Sequence, residues 1–528
     1  MKDSVKRAIL GICLFLLAGA AVFAGGQSSA PAAGGANAPV SITVEVFDRG
    51  TDGGRSDPTN NNWTKWIQEK LLKDENISVT FVPIPRGQEG PGLITLMAAG
   101  DAPDICYTYG ADLINTFRLQ GGLFEMTPYV DSHMPDLKKW LGEDEALPGK
   151  LLINRQITPD GKLYAVPARR MALGLAYTGA FIRKDWLDKL GLPVPTTTEE
   201  FYNAIKAFKD KNPGNVSNIL PIVFGDTVGG TTAMHMRGAF LDPKLSDKDR
   251  WIYGVETQPG YKETYRLLNR MYNEGLIDKD FALYNDGGTT THNNLKSGRA
   301  GFYVADRDHP YRNSPGIQDG LALNVPGAQF VPIDPFKNSE GKTPKDIYDP
   351  QGILSFIPVY SKAPEAAMRY LNWLSIFENR YFLQVGPEGI VHDIVDGIPQ
   401  LKRGEGLWIQ NSDQNLDYTI PINGMDLGDP IKNENSVVNA FPAEYRDLII
   451  EAYAMSLKDG RAPPVVSGVE LIEATKYPEL GDKWNDVLVQ AITCPIAQFD
   501  RVWDDGIKAW LAAGQQAVID ERKAKYPY

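Results

Sequence analysis

Cysteine is scarce: 3 among 528 residues, at Cys13, Cys106 and Cys494. That excludes a disulfide framework and any site built from clustered thiolates. Histidine is nearly as sparse, and His133, His235, His292, His309 and His392 form neither an H-x-x-x-H nor an H-x-H pair, so a zinc-hydrolase helix is absent. Positive charge is in deficit. Lys and Arg number 54 against 66 Asp and Glu, for a net charge of −12. A phosphate backbone calls for a basic face, so no nucleic acid is expected as partner. There is no G-x-S-x-G elbow, no G-x-x-x-x-G-K-[S/T] phosphate loop and no G-x-G-x-x-G after a strand. The calcium pattern D-x-[DN]-x-[DN]-G is missing too, because Asp278, Asp280 and Asp286 have the wrong spacing. Neither a metal nor a cofactor is expected.

What is present suits a folded protein. Hydrophobic residues make up 43% and charged residues 23%, and the length allows more than one core. Lys2, Lys6 and Arg7 precede an uncharged apolar run from Ala8 to Phe23, with small residues Val22 and Ala24 ahead of Gly25. Residues 1–24 therefore read as a signal peptide, and 25–40, rich in Gly, Ser, Ala and Pro, as a flexible leader. Cleavage would remove three basic residues and Asp3, deepening the net charge to −14. A lipid anchor would need a cysteine at the cleavage point. Cys13 lies inside the apolar run, so no lipid anchor is expected. No later stretch is long and apolar enough to span a membrane. The mature chain is placed outside the cytoplasm, periplasmic or at the cell surface. Cys106 and Cys494, far apart in sequence, are expected as free thiols, although an oxidising compartment would let them pair.

Strands and helices alternate. Ser41 to Phe47 is β-branched with period two, and Trp63, Trp66, Ile67 and Leu71 follow at helical spacing behind Asn61 or Asn62 as cap. Ile77 to Ile84 and Asp104 to Tyr109 read as further strands, with a helix from Leu93 to Ala99 stopped by Gly100. Thr197 and Glu200 suggest a capping box before Phe201, Ile205 and Phe208. Tyr261, Tyr265 and Leu268 mark one helix face; Ala367, Tyr370, Leu371 and Leu374 mark another. Such alternation implies α/β domains, and these stripes are core.

Aromatics carry the functional signal: 10 Trp, 23 Tyr and 20 Phe, several at strand ends. Sugars stack on aromatic faces while Asp, Asn and Arg bind their hydroxyls. In open α/β sheets ligands lie beyond the carboxyl ends of strands. Asp48-Arg49, Tyr107 to Tyr109, and Asp306-Arg307 after the strand Ala300 to Ala305 occupy such ends. The plainer alternative makes each Asp-Arg a surface ion pair and each Tyr a core residue.

Several segments, in order, resemble the family 1 extracellular solute-binding proteins of bacterial ABC transporters, in particular their large carbohydrate-binding branch. They are Asn62-Trp-Thr-Lys-Trp-Ile-Gln-Glu-Lys70, Leu96-Met-Ala-Ala-Gly-Asp-Ala-Pro-Asp-Ile105 and Asp160-Gly-Lys-Leu-Tyr-Ala-Val-Pro-Ala-Arg-Arg170. Phe181 to Pro193, Met271 to Ile277 and Pro364 to Leu374 continue the series, and the poorest matches are Gly225 to Arg250 and Asn411 to Val437. The resemblance implies an α/β, two-lobed periplasmic-binding-protein-like fold with a hinge and an interlobe cleft. On that basis residues 41–168 with about 335–390 form one lobe, and 169–334 with about 391–528 the other. Asp48, Arg49, Tyr107 and Tyr109 would line the first lobe, Arg169 and Arg170 the hinge, and Phe224, Asp226, Asp306 and Trp408 the second. Two adjacent guanidiniums near a cleft could clamp a carboxylate, which would favour a uronate; neutral hydroxyls or a nearby Asp would satisfy them as well. The resemblance implies a monomeric, non-enzymatic receptor that captures a carbohydrate by hinge closure and hands it to ABC transporter permease subunits. The alternative is a secreted carbohydrate-active enzyme with paired carboxylates, and a peptide or lipid ligand in the same fold is a third reading.

Overall fold

Hydrophobic alternation sets the first sheet. The computed structural model describes residues 38–527 apart from positions 148, 285, 287, 313–315, 403–405, 413–414, 437–440 and 467–468. The signal peptide, most of the leader and Cys13 lie outside the described residues. Strand β1 (Val40–Asp48) buries Val44, Val46 and Phe47 and pairs in parallel with β2 (Ile77–Pro85) from Val40↔Ile77 to Asp48↔Pro85. Between them runs α1 (Asn62–Glu75). The Asn61 side chain accepts from the amides of Trp63 and Thr64, and Thr64 Oγ1 accepts from Asn61 N at 3.0 Å, so the first turn leaves few orphan donors. Backbone bonds from Glu45 N to Ile105 O and from Ile105 N to Thr43 O bring β3 (Cys106–Thr108) alongside β1.

After β4 (Ala165–Arg170) the chain leaves this sheet and builds a second one. Its strands are β5 (Thr178–Arg183), β6 (Leu220–Ile222), β7 (Ala300–Asp306) and β8 (Phe330–Ile333), in the order β6-β7-β5-β8. Both faces are covered, as strand periodicity requires. Ala180, Ile182, Phe302 and Val304 join the cluster holding Phe201, Phe208, Tyr265 and Trp503. Their neighbours Phe181 and Tyr303 point the other way, to Tyr311, Phe330 and Tyr453. The chain then passes through β9 (Lys345–Asp346) and inserts β10 (Gln351–Phe356) antiparallel between β3 and β4.

Residues beyond 390, expected in the second lobe, stay with the first as far as Leu427. A hairpin of β11 (His392–Val395) and β12 (Ile398–Leu401) is followed by β13 (Ile422–Asn423), which pairs with the outer edge of β4. Val391, Leu401, Tyr418, Ile420, Met425 and Leu427 belong to the cluster of Trp63, Phe81 and Trp373. Tyr418 donates to Pro58 O at 2.8 Å and accepts from Asn61 Nδ2 at 2.7 Å. The physical reason is burial of isolated apolar side chains in irregular backbone, which leaves no period to read. From Phe441 onward the chain returns to the second body, where β14 (Gly460–Arg461) pairs with β9. Cys106 and Cys494 are free. Among the described residues no helix is long and apolar enough to cross a membrane.

Candidate functional site

The end of β4 is clamped on both sides. Arg169 N donates to Pro421 O at 2.9 Å, Arg170 N to Pro350 O at 2.8 Å, and Met171 N to Asn423 O at 3.0 Å. Strand alternation then sends the two arginine side chains to opposite faces. Arg169 turns to the Trp140 and Leu141 carbonyls and to Glu145 at 3.1 Å. Arg170 is 9% exposed, and its Nη1 donates to the carbonyls of Asp349 (2.8 Å) and Gln351 (2.9 Å). Its guanidinium lies 4.1 Å from the centroid of the Tyr348 ring, a cation–π contact, and Tyr348 stacks on Tyr177 at 4.0 Å. The expected arginine pair is therefore not a pair; only Arg170 reaches the cluster described here.

Around this stack gather groups from both sheets. From the first, Arg49 forms a two-pronged bond with Asp417, Nε to Oδ2 at 2.7 Å and Nη2 to Oδ1 at 2.8 Å. Asp417 is buried and also accepts from Asn411 Nδ2 at 2.7 Å. Arg86 pairs with Glu89 at 2.6 Å and lies over the rings of Phe47 and Tyr109. From the second sheet, Asp306 pairs with Arg312 at 2.9 Å, and Arg307 meets the buried Asp308 at 3.4 Å and the Tyr453 hydroxyl at 3.3 Å.

Electrostatics ties these groups into one site. Burial raises the Tyr109 phenol, opposed by the charges of Arg49 and Arg170, although the residue is 38% exposed. Burial and then the charge of Asp306 raise the Tyr177 and Tyr348 phenols, so β7 faces the tyrosine stack. Burial alone would raise the Asp306 carboxyl, but Arg312 and Arg307 hold it below its ordinary value. Burial lowers the Arg170 guanidinium, with Tyr109 and Tyr348 opposing that shift. These groups together present phenols, fixed guanidiniums and carboxylates, which suits hydroxyl-rich ligands.

Of the residues singled out in the sequence, Arg49 and Arg170 act on Tyr109, and Arg170 and Asp306 act on Tyr348. The others do not. Asp48 is exposed, and its Oδ1 accepts from Gly50 N in a local turn. Tyr107 is a core residue, edge-on to Phe47 at 4.8 Å. Phe224 is buried against Phe281. Asp226 turns its carboxylate onto the amides of Val228, Gly230 and Thr231, at the start of a helix. Trp408 packs on Trp63 at 5.0 Å within the first core rather than facing it from the second lobe. Sequence reasoning missed Arg86, Tyr177, Tyr348 and Asp417. Tyr177 and Tyr348 flank the two connections between the sheets, which was a usable signal; nothing local marks Asp417, 368 residues from Arg49. Among the described residues no three His, Cys, Asp or Glu side chains are grouped to hold a metal ion.

Two sheets, each set in its own core and joined by repeated crossings of the chain, are the architecture of a two-lobed solute-binding protein. Residues 56–375 match the family described as Bacterial extracellular solute-binding protein, and the chain belongs to that family, family 1 in the usual numbering. The chain is 24% identical over 485 residues to the polygalacturonan/rhamnogalacturonan-binding protein YtcQ of Bacillus subtilis, covering 86% of each. Over 200 residues it is 30% identical to the fructooligosaccharide ABC transporter substrate-binding protein FusA of Streptococcus pneumoniae, 35% of this chain and 36% of that protein. Among solved structures, the alginate-binding protein AlgQ2 without calcium ion shares the fold at a TM-score of 0.62 and 21% identity, covering 92% of this chain and 98% of that one.

Proposed function

We propose that this protein is an extracytoplasmic receptor that captures an oligosaccharide in the interlobe cleft and delivers it, unaltered, to the permease subunits of an ABC importer. The observation that carries the reading is the exposed Tyr109 ring and the Tyr177 ring, the latter backed by Tyr348, with Arg49, Arg170 and Asp306 around them: aromatic surface beside fixed donors and acceptors. The relatives' names point to carbohydrates in each case, polygalacturonan and rhamnogalacturonan, fructooligosaccharide and alginate. Residues 41–170 with 351–427 form one lobe in this reading, and 178–333 with 441–528 the other. Ligand touches both lobes only when they are closed, so its differential affinity shifts the population toward that state. The receptor acts as a monomer.

A glycosidase reading is disfavoured by the carboxylates themselves. A general acid needs a raised carboxyl that reaches the substrate, whereas Asp306 is held low, Asp417 is engaged by Arg49 and Asn411, and Glu45, raised by burial, is sealed inside the core. Incubation with a glycan panel tests the proposal. Ligand recovered intact, together with a smaller radius of gyration in solution scattering, is expected. Turnover of any glycan would sink it.

A further inference from the structure

The carboxylates near Arg170 are already committed. Asp349 is turned away, held by both terminal nitrogens of Arg155 and by Gln351 N at 2.7 Å. Asp306 is paired with Arg312, Asp417 with Arg49, and Glu89 with Arg86. Among the described residues Arg170 forms no ion pair, and its hydrogen bonds run from Nη1 to two neutral carbonyls. Its Nε and Nη2 make no hydrogen bond there, yet they are not among the polar atoms sealed from water. These two nitrogens form one edge of the guanidinium, the edge that matches the two oxygens of a carboxylate. A buried cation with no direct ion-pair partner is costly even with Asp349 nearby, and an anion from outside relieves that cost as a hydroxyl cannot. The surrounding protein is acidic, so this local excess stands against the average.

We propose that the captured glycan bears a carboxylate, and that Arg170 clamps it through Nε and Nη2 while Tyr109 and the Tyr177–Tyr348 stack border the sugar rings. This rests on the oligosaccharide reading above and names its substrate class: uronate-containing oligosaccharides. Nη1, anchored to the Asp349 and Gln351 carbonyls, fixes the plane of the fork before ligand arrives. Arg169 has no part in it, being on the other face of β4.

The test is calorimetric titration of the mature chain with galacturonate and mannuronate oligomers, the same oligomers methyl-esterified, and neutral oligosaccharides of equal length. Esterification keeps the shape and removes the charge. At least one uronate oligomer is expected to bind, and its ester about 10- to 100-fold more weakly, the range for losing a charged two-pronged hydrogen bond. Arg170→Lys keeps the charge but not the fork, and is expected to cost roughly 10-fold for the acid and clearly less for the ester, narrowing the gap between them. Arg169→Gln is expected to alter neither. Should Arg170→Lys fail to fold, the acid-against-ester comparison on the unaltered protein still decides. Equal affinity for acid and ester, or binding of neutral glycans alone, overturns the carboxylate clamp and leaves the receptor reading standing. Failure to bind any glycan overturns both.

Discussion

Replacing Asp417 by Ala tests how the segment 392–427 is fastened to the lobe that carries β1. The carboxylate is fully buried and accepts three hydrogen bonds, two from Arg49 at 2.7 and 2.8 Å and one from Asn411 at 2.7 Å. A hydrogen bond to a charged group contributes about 1.5–3 kcal/mol net, and breaking a buried ion pair by removing one partner costs about 3–5 kcal/mol. The Arg49 side chain is 27% exposed, so water recovers part of what it loses. The expected loss for Asp417→Ala is therefore about 3 kcal/mol, at the bottom of that range. Asp417→Asn keeps the volume and one acceptor, and is expected to cost about 1–2 kcal/mol. Urea unfolding followed by tryptophan fluorescence measures both, since Trp63 and Trp408 lie in the same core. A double-mutant cycle with Arg49→Met should return a coupling of about 2 kcal/mol. A loss below about 1 kcal/mol for Asp417→Ala, or strict additivity in the cycle, would refute the claim that this pair fastens the segment.

Two further outcomes concern pH. Glu45 is buried on β1, with one oxygen accepting from Tyr107 N and the other unpartnered; burial, then the nearby Glu89 and Asp417, hold its carboxyl well above the ordinary range. Folding therefore takes up a proton there: the contribution is full below about pH 4.3 and is lost as pH rises. Glu45→Gln should raise the thermal midpoint at pH 7 and leave it nearly unchanged at pH 4; equal shifts at both would contradict the burial argument. His235, bonded through Nδ1 to Thr178, is lowered to about 3 by burial, with Lys345 adding to it. The unfolded chain takes up a proton near pH 6.5 and the folded one does not, so stability should fall as pH drops from about 6.5 toward 3. His235→Gln should flatten that decline in thermal scans, leaving a residual slope from His309, also lowered to about 3.

Local chemistry was legible where it is local. The Asn61 cap, the Gly100 stop in a left-handed conformation, the strand ending in Asp306 and the Pro364 helix start could each be read from a few neighbouring residues. At Thr197 the cap forms, but Glu200 returns its bonds to Thr196 rather than to Thr197. The site was legible in half. Strand ends point to Arg49, Tyr109 and Asp306, whereas the adjacency of Arg169 and Arg170 suggests a pair that strand alternation separates onto opposite faces. Partners brought together by the return of the chain, Tyr348 under Arg170 and Asp417 under Arg49, carry no mark in sequence because their role is defined by residues hundreds of positions away.

The insertion of β10 between β3 and β4 also orders events in time. Until residues 351–356 exist, both strands keep raw edges, and until Leu427 exists the core around Trp63 lacks Tyr418 and Ile420. A ribosome adding about 5–20 residues per second needs roughly 10 to 50 seconds to travel from Arg170 to Leu427. The sheet begun first is thus among the last completed, so the order of its strands delays closure of that core until most of the chain has been made.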